Sequence, residues 1–136
     1  MDKKFLYDFM KTQALAVLTS VNEKSLPQAA LIGIAVTPEL EIVFDTVDTS
    51  RKYQNLIQNP AVALVVGWDN ETSLQYEGIA TLLASSDNFY RQLYFDTFKD
   101  ARQRAETKGI VHFKISAQWI RYSSFNEPMV TEEFTL

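Results

Sequence analysis

Apolar and polar positions along the chain change period several times, and each change marks an element. Residues 3–11 repeat at helical spacing, with Phe5 and Phe9 on one side and Leu6 and Met10 beside them. Residues 14–21 read as a strand, followed by the polar turn "NEKS". Residues 26–37 are almost wholly apolar, as expected of a strand covered on both faces. The short connection makes these two runs a hairpin with a loop of about four residues. After "TPEL", residues 41–47 alternate Glu41, Val43 and Asp45 against Ile42, Phe44 and Thr46.

The second half repeats the scheme. A short helix follows "DTS" and must end before Pro60, because proline pushes its predecessor out of the helical region. Residues 61–68 form a β-branched strand, "DNETS" a hairpin loop, and residues 74–83 the returning strand. Residues 85–109 read as one long helix, capped by Ser86 or Asp87 and stopped by Gly109. Its buried stripe is expected from Leu93, Tyr94 and Ala101, with Phe98 or Tyr90. Residues 110–122 alternate again: Val111, Phe113, Ile115, Ala117 and Trp119 on one face, His112, Lys114, Ser116 and Gln118 on the other. The tail from Ser123 is polar and mixed. The order is therefore helix, three strands, short helix, two strands, long helix, strand. Hairpin-length loops imply a mainly β, six-stranded antiparallel sheet with flanking helices, long enough in its strands to close into a barrel.

Composition narrows the classes. At 136 residues the chain is expected to be one domain, 1–136, and 46 % hydrophobic residues suffice for a filled core. A net charge of −4 argues against a phosphate-backbone binder, so no nucleic acid is expected as partner. The absence of cysteine removes disulfides, thiolate catalysis and Cys-ligated metals. The N-terminal residues lack a signal-peptide pattern and no stretch suits a bilayer, so a cytoplasmic protein without membrane attachment is expected.

One local feature conflicts with simple helix electrostatics. Arg51 and Lys52 stand at the start of the short helix, where the macrodipole favours anions. A bound phosphate would resolve the conflict, receiving backbone N–H groups, the Thr49 or Ser50 hydroxyl and both cationic side chains. A solvated polar turn with its cations extended into water is the bland alternative. His112, the only histidine, reads as an exposed strand residue, and no ligand spacing supports a metal. Trp68 and Trp119 read as strand-end core residues, and Tyr90, Tyr94, Phe95 and Phe98 as core or dimer contacts. Glu77 has no partner in the sequence that would make it a general base. No catalytic residue is assigned.

"LAVLTSVNEKSLPQAALIGIAV", "EIVFDT", "TSRKYQNLIQNPAVALVV" and "QYEGIATLL" together resemble the pyridoxamine 5'-phosphate oxidase-like, FMN-binding split-barrel family. The resemblance implies a Greek-key split barrel that forms a homodimer with flavin grooves at its interface. It implies that Ser50 and Lys52, helped by Arg51, hold the FMN phosphate. Phe44, Asp45 and Thr46 match positions along the flavin's pyrimidine edge. Gln28, Ala29 and Ala30 match the segment beside the ring and ribityl chain, although many relatives carry a basic or hydroxyl residue early in this strand. Gly78 matches a strand position needing close packing or a bulge, and Trp119 one that can reach a partner's groove. The Arg- and His-bearing C-terminal region of true pyridoxamine phosphate oxidases is not matched, so vitamin B6 oxidation is not expected. The implied function is an FMN flavoprotein, an oxidoreductase passing electrons from NAD(P)H or a similar donor to a small acceptor. The alternatives are a non-enzymatic flavin-binding stress sensor or carrier, an F420-binding relative, or a barrel without cofactor. Some relatives bind haem, for which His112 would be the sole histidine ligand.

Overall fold

The computed structural model describes residues 2–136. The chain runs α1 (Lys3–Lys11), β1 (Leu15–Val21), β2 (Pro27–Gly33), β3 (Ala35–Val36), β4 (Ile42–Val47), α2 (Arg51–Gln58), β5 (Ala61–Val66) and β6 (Thr72–Leu82). It continues through α3 (Asn88–Thr97), α4 (Ala101–Arg104), β7 (Ile110–Ser124) and β8 (Val130–Thr135). All strand pairings are antiparallel, in the order β2-β1-β5-β6-β7-β4-β3, with β8 beside the C-terminal half of β7. The two ends of this path are one piece of chain, because only Ile34 separates β2 from β3. The surface therefore closes on itself as a split barrel, flanked by helices.

Eight strands stand where six were expected, and both additions have local causes. The apolar run at 26–37 breaks at Ile34, just after Gly33, where the end of α3 packs. The Phe98 ring packs so tightly there that a Cβ on residue 33 would lie 3.0 Å from Phe98 Cζ. The tail is not irregular: Val130–Thr135 pairs with β7 and packs Phe134 against the core. The single helix expected over 85–109 is two. Phe98 leaves the helical region at φ −122, ψ 117, which sets its ring 4.9 Å from Tyr94 and over Gly33. Asp87 occupies the N-cap of α3 without a side-chain hydrogen bond.

The barrel interior is built from Ala16 and Leu18 of β1, Leu64 and Val66 of β5, Leu74 and Tyr76 of β6, and Phe113, Ile115 and Ile120 of β7. Phe44 stacks on Phe113 at 5.4 Å. Each such side chain contributes about 1.5–3 kcal/mol when fully buried. The Tyr76 hydroxyl donates to the Leu40 carbonyl at 2.7 Å, so the buried phenol is satisfied.

The clean alternation expected along 110–122 does not persist. Glu77 pairs with Trp119 but Gly78 pairs with Ala117, leaving Gln118 as an extra residue in a β-bulge. Gly78 permits the close approach: a Cβ there would sit 2.4 Å from the Ser116 carbonyl oxygen. Beyond the bulge, Ile120 and Tyr122 point inward, and Trp119 turns to the outer face instead of continuing the Phe113–Ile115 stripe. Among the described residues, no helix is long and apolar enough to cross a membrane.

Candidate functional site

The helix start singled out by its charge is well ordered by hydrogen bonds. The Asp48 amide donates to the Gly109 carbonyl at 2.8 Å, tying the turn to the beginning of β7, and the Ser50 amide donates to the Val47 carbonyl at 3.0 Å. Ser50 is the N-cap of α2. Its Oγ accepts from the Tyr53 amide at 3.2 Å and shares a 2.9 Å hydrogen bond with Thr46 Oγ1. Thr49 is exposed at the tip of the turn. Among the described residues, neither Arg51 nor Lys52 forms a salt bridge, and their backbone amides have no acceptor. Two cations and two free N–H groups therefore converge where the helix dipole is positive.

They open onto a cleft of about 120 Å³ lined by Ser20, Gln28, Ala29, Ala30, Arg51 and Lys52. Ser20 and Gln28 face each other directly across β1 and β2. Beneath them lies Asn55, one turn along α2 and only 6 % exposed. Its Nδ2 donates to Ser20 Oγ at 2.9 Å and to Gln28 Oε1 at 3.0 Å. Asn55 is a residue that sequence reasoning did not single out. The available signal was its place beside Leu56 on the buried face of a short helix, three residues after Lys52.

The remaining expected residues are distributed differently. Phe44 is buried in the barrel, and Thr46 is committed to Ser50. The Asp45 side chain points to the helical side, where Arg104 Nε donates to it at 2.8 Å and the Tyr94 hydroxyl lies 3.2 Å from both its carboxylate and the Gly33 carbonyl. What the end of β4 leaves available is backbone. β3 pairs only with Ile42 and Val43, so no strand covers that edge of 44–46, the edge nearest β2. His112, expected to be exposed, is 3 % exposed beneath α3. The Tyr94 and Phe95 rings meet it edge-on at 5.7 and 5.6 Å, and its Nε2 has no hydrogen-bond partner. The sequence pattern placed it correctly opposite the core stripe, but α3 covers that face.

Trp119 is not beside the phosphate-sized cleft. On the outer face, Ala29, Thr19, Ala63, Glu77 and Trp119 form one rung across β2, β1, β5, β6 and β7. Four inter-strand steps of about 4.8 Å put Trp119 roughly 19 Å from Ala29. It lines a separate groove of about 310 Å³ with Val17, Thr19, Ala63, Val65 and Glu77 among its walls. Leu31, 60 % exposed, Leu15 and Val65 also stand on this face, which is unusually apolar for the open side of an antiparallel sheet.

With this geometry in place, known proteins give a consistent frame. The profile of the family described as pyridoxamine 5'-phosphate oxidase matches residues 3–124. The chain belongs to that family. No curated protein sequence matches it. Among solved structures it is similar to a heme binding protein from Mycobacterium smegmatis, with a TM-score of 0.84 and 12 % identity over 98 % of this chain; this chain spans 57 % of that protein's length. General stress protein 26 from Bacillus anthracis is similar at a TM-score of 0.77 and 20 % identity, covering 98 % of both chains. HutZ, a heme storage protein from Vibrio cholerae, follows at 0.72 and 14 %, covering 83 % of this chain and 87 % of that one. At these identities the likeness establishes the fold.

Proposed function

We propose that this family member is an FMN-binding flavoprotein with the phosphate of the cofactor seated at the start of α2. One observation carries the reading: among the described residues Arg51 and Lys52 have no counter-ion, and with two free helix amides they face a cleft that a phosphate would complete. Ser50 holds the turn, and Gln28, Ala29 and Ala30 form the opposite wall. The uncovered backbone edge of 44–46 supplies amide and carbonyl groups for the polar edge of the ring system. Bound FMN would supply reversible hydride chemistry, and the chain would supply orientation, hydrogen bonds and exclusion of water. The activity proposed is electron transfer from NAD(P)H or a similar donor to a small acceptor.

The outer face supports a homodimer as the working unit. Leu15, Leu31, Val17 and Val65 form an apolar surface that a second copy would cover, and Trp119 would then reach the partner's ligand rather than its own. The heme-binding relatives favour one alternative, a non-enzymatic binding protein. A histidine-ligated haem on this chain would have to use His112, which requires lifting α3 from it. F420, which also carries a phosphate, would occupy the same turn and compete with FMN.

Titration with FMN, followed by flavin fluorescence, tests the cofactor. Saturable binding of micromolar affinity or tighter at one flavin per chain is expected. Absence of binding, or displacement by haem or F420 at lower concentration, would replace FMN in this reading. Steady-state NAD(P)H oxidation by the loaded protein separates the enzyme from the carrier.

A further inference from the structure

We propose that Asn55 is the positioning residue that makes Ser20 and Gln28 hydrogen-bond donors toward a phosphate monoester. The inference rests on the phosphate reading of the cleft and adds to it a specific reason why the cleft prefers an anion. A serine hydroxyl can donate or accept, and a glutamine side chain offers both an oxygen and an NH2 group. On their own these two residues would suit a cation, a sugar hydroxyl or a phosphate alike. Asn55 removes that ambiguity. Its single NH2 group donates to the Ser20 oxygen at 2.9 Å and to the Gln28 oxygen at 3.0 Å. That fixes the Gln28 amide with Nε2 turned away from Asn55, and it occupies one lone pair of the Ser20 hydroxyl, whose proton then points away from Asn55.

Neither the Ser20 proton nor the Gln28 NH2 group has an acceptor among the described residues, and both residues line the cleft with Arg51 and Lys52. Ser20 is 1 % exposed, so its unmatched donor costs free energy unless the cleft is filled by an acceptor. The cleft is therefore rich in donors: two side-chain donors oriented by Asn55, two cations and two helix amides. Such a set favours a dianion with several lone pairs over a ligand that must itself donate. Gln28 thus fills the place that many relatives give to a basic or hydroxyl residue, and it can do so because a buried amide on α2 holds its orientation.

The test compares FMN with riboflavin, which lacks only the phosphate. Wild-type protein should bind FMN at least tenfold more tightly than riboflavin. Asn55→Asp replaces the NH2 donor by a carboxylate that must accept from Ser20 and Gln28, so their oxygens turn to the cleft. FMN affinity should fall tenfold or more, riboflavin affinity should stay within twofold, and the FMN-to-riboflavin preference should collapse. Gln28→Glu, on a half-buried strand position that keeps the bond from Asn55, should produce the same selective loss and covers the case in which Asn55→Asp does not fold. Asn55→Leu in a Gln28→Leu, Ser20→Ala background should cost little further FMN affinity, since Asn55 acts through those two side chains. Equal losses for both flavins, or full additivity in that background, would make Asn55 a packing residue and overturn the inference while leaving the phosphate site in place. Wild-type protein that binds FMN and riboflavin equally would remove the phosphate reading itself.

Discussion

Two polar clusters flank the end of β4 and differ in one respect. On the helical side, Asp45 is paired with Arg104, bonded by Tyr94 and set beside His112 under α3. On the barrel side, Thr46 hands the chain to Ser50, and there Arg51, Lys52, Ser20 and Gln28 keep donors without acceptors. The first cluster is paired apart from His112 Nε2, with its ion pair and phenol joining two helices to the sheet. The second is incomplete in one direction only, toward a negative ligand. Buried polar groups are ordinarily satisfied, and the one-sided, like-signed deficits on this side of β4 are the reason we propose it as the binding side. On the helical side, His112 Nε2 is the one fully buried side-chain nitrogen or oxygen without a hydrogen-bond partner among the described residues, and the apolar rings of Tyr94 and Phe95 that enclose it make this a packing cost.

The contrast can be broken in four ways, beginning with the largest effect. Lys52→Glu should weaken FMN binding roughly 100-fold, the size of a lost charge-assisted bond plus an added repulsion, with the melting temperature unchanged or slightly raised, because Lys52 has no partner among the described residues and an acidic side chain suits the helix start. Fluorescence titration and a thermal melt measure the two halves. Arg104→Ala should do the reverse, since it strands the partly buried Asp45. A loss of about 1–2 kcal/mol, after solvent screening of the half-exposed arginine, is expected in urea denaturation; FMN affinity should stay within twofold. Tyr94→Phe removes one neutral donor and should cost about 1 kcal/mol.

The smallest effect concerns pH. Burial, the largest influence, holds the His112 imidazolium back and lowers its pKa from the ordinary 6.5; neighbouring Asp45 opposes this, and Arg91 and Arg104 add to it. The unfolded chain therefore binds more protons than the folded one just below pH 6.5. Stability is full above that value and declines as pH falls from it toward the folded pKa. His112→Phe should flatten this part of the stability curve, leaving only the carboxylate-driven loss at lower pH. A slope that is unchanged in His112→Phe would assign the acid sensitivity elsewhere.

Much of this was legible in the sequence because it depends on local pattern. The helix start after "DTS", its termination before Pro60 and the succession of the main elements along the chain follow from capping, proline geometry and apolar period. From the residues alone the candidate site was legible only where charge opposed the dipole, at Arg51 and Lys52; Gln28, Ala29 and Ala30 entered through the family resemblance. Trp119 was misplaced because a bulge at Gln118 shifts register by one, and a period-2 reading inverts every residue beyond it. The adjacent apolar pair Trp119–Ile120 was the visible sign. His112 was misjudged because its face is polar by alternation yet covered by α3, a tertiary fact. Asn55 was hidden for a like reason: its partners lie 35 and 27 residues away on β1 and β2.

The central claim is that the start of α2 is a phosphate-monoester site, and phosphorus NMR of FMN mixed with this protein tests it most directly. Free FMN phosphate loses its second proton near pH 6. Among two cations, two helix amides and two oriented donors, the bound phosphate should remain dianionic well below that pH, giving a shifted resonance that does not titrate between about pH 5 and 8. A bound phosphate that titrates like the free ligand would place it in solvent and contradict the account.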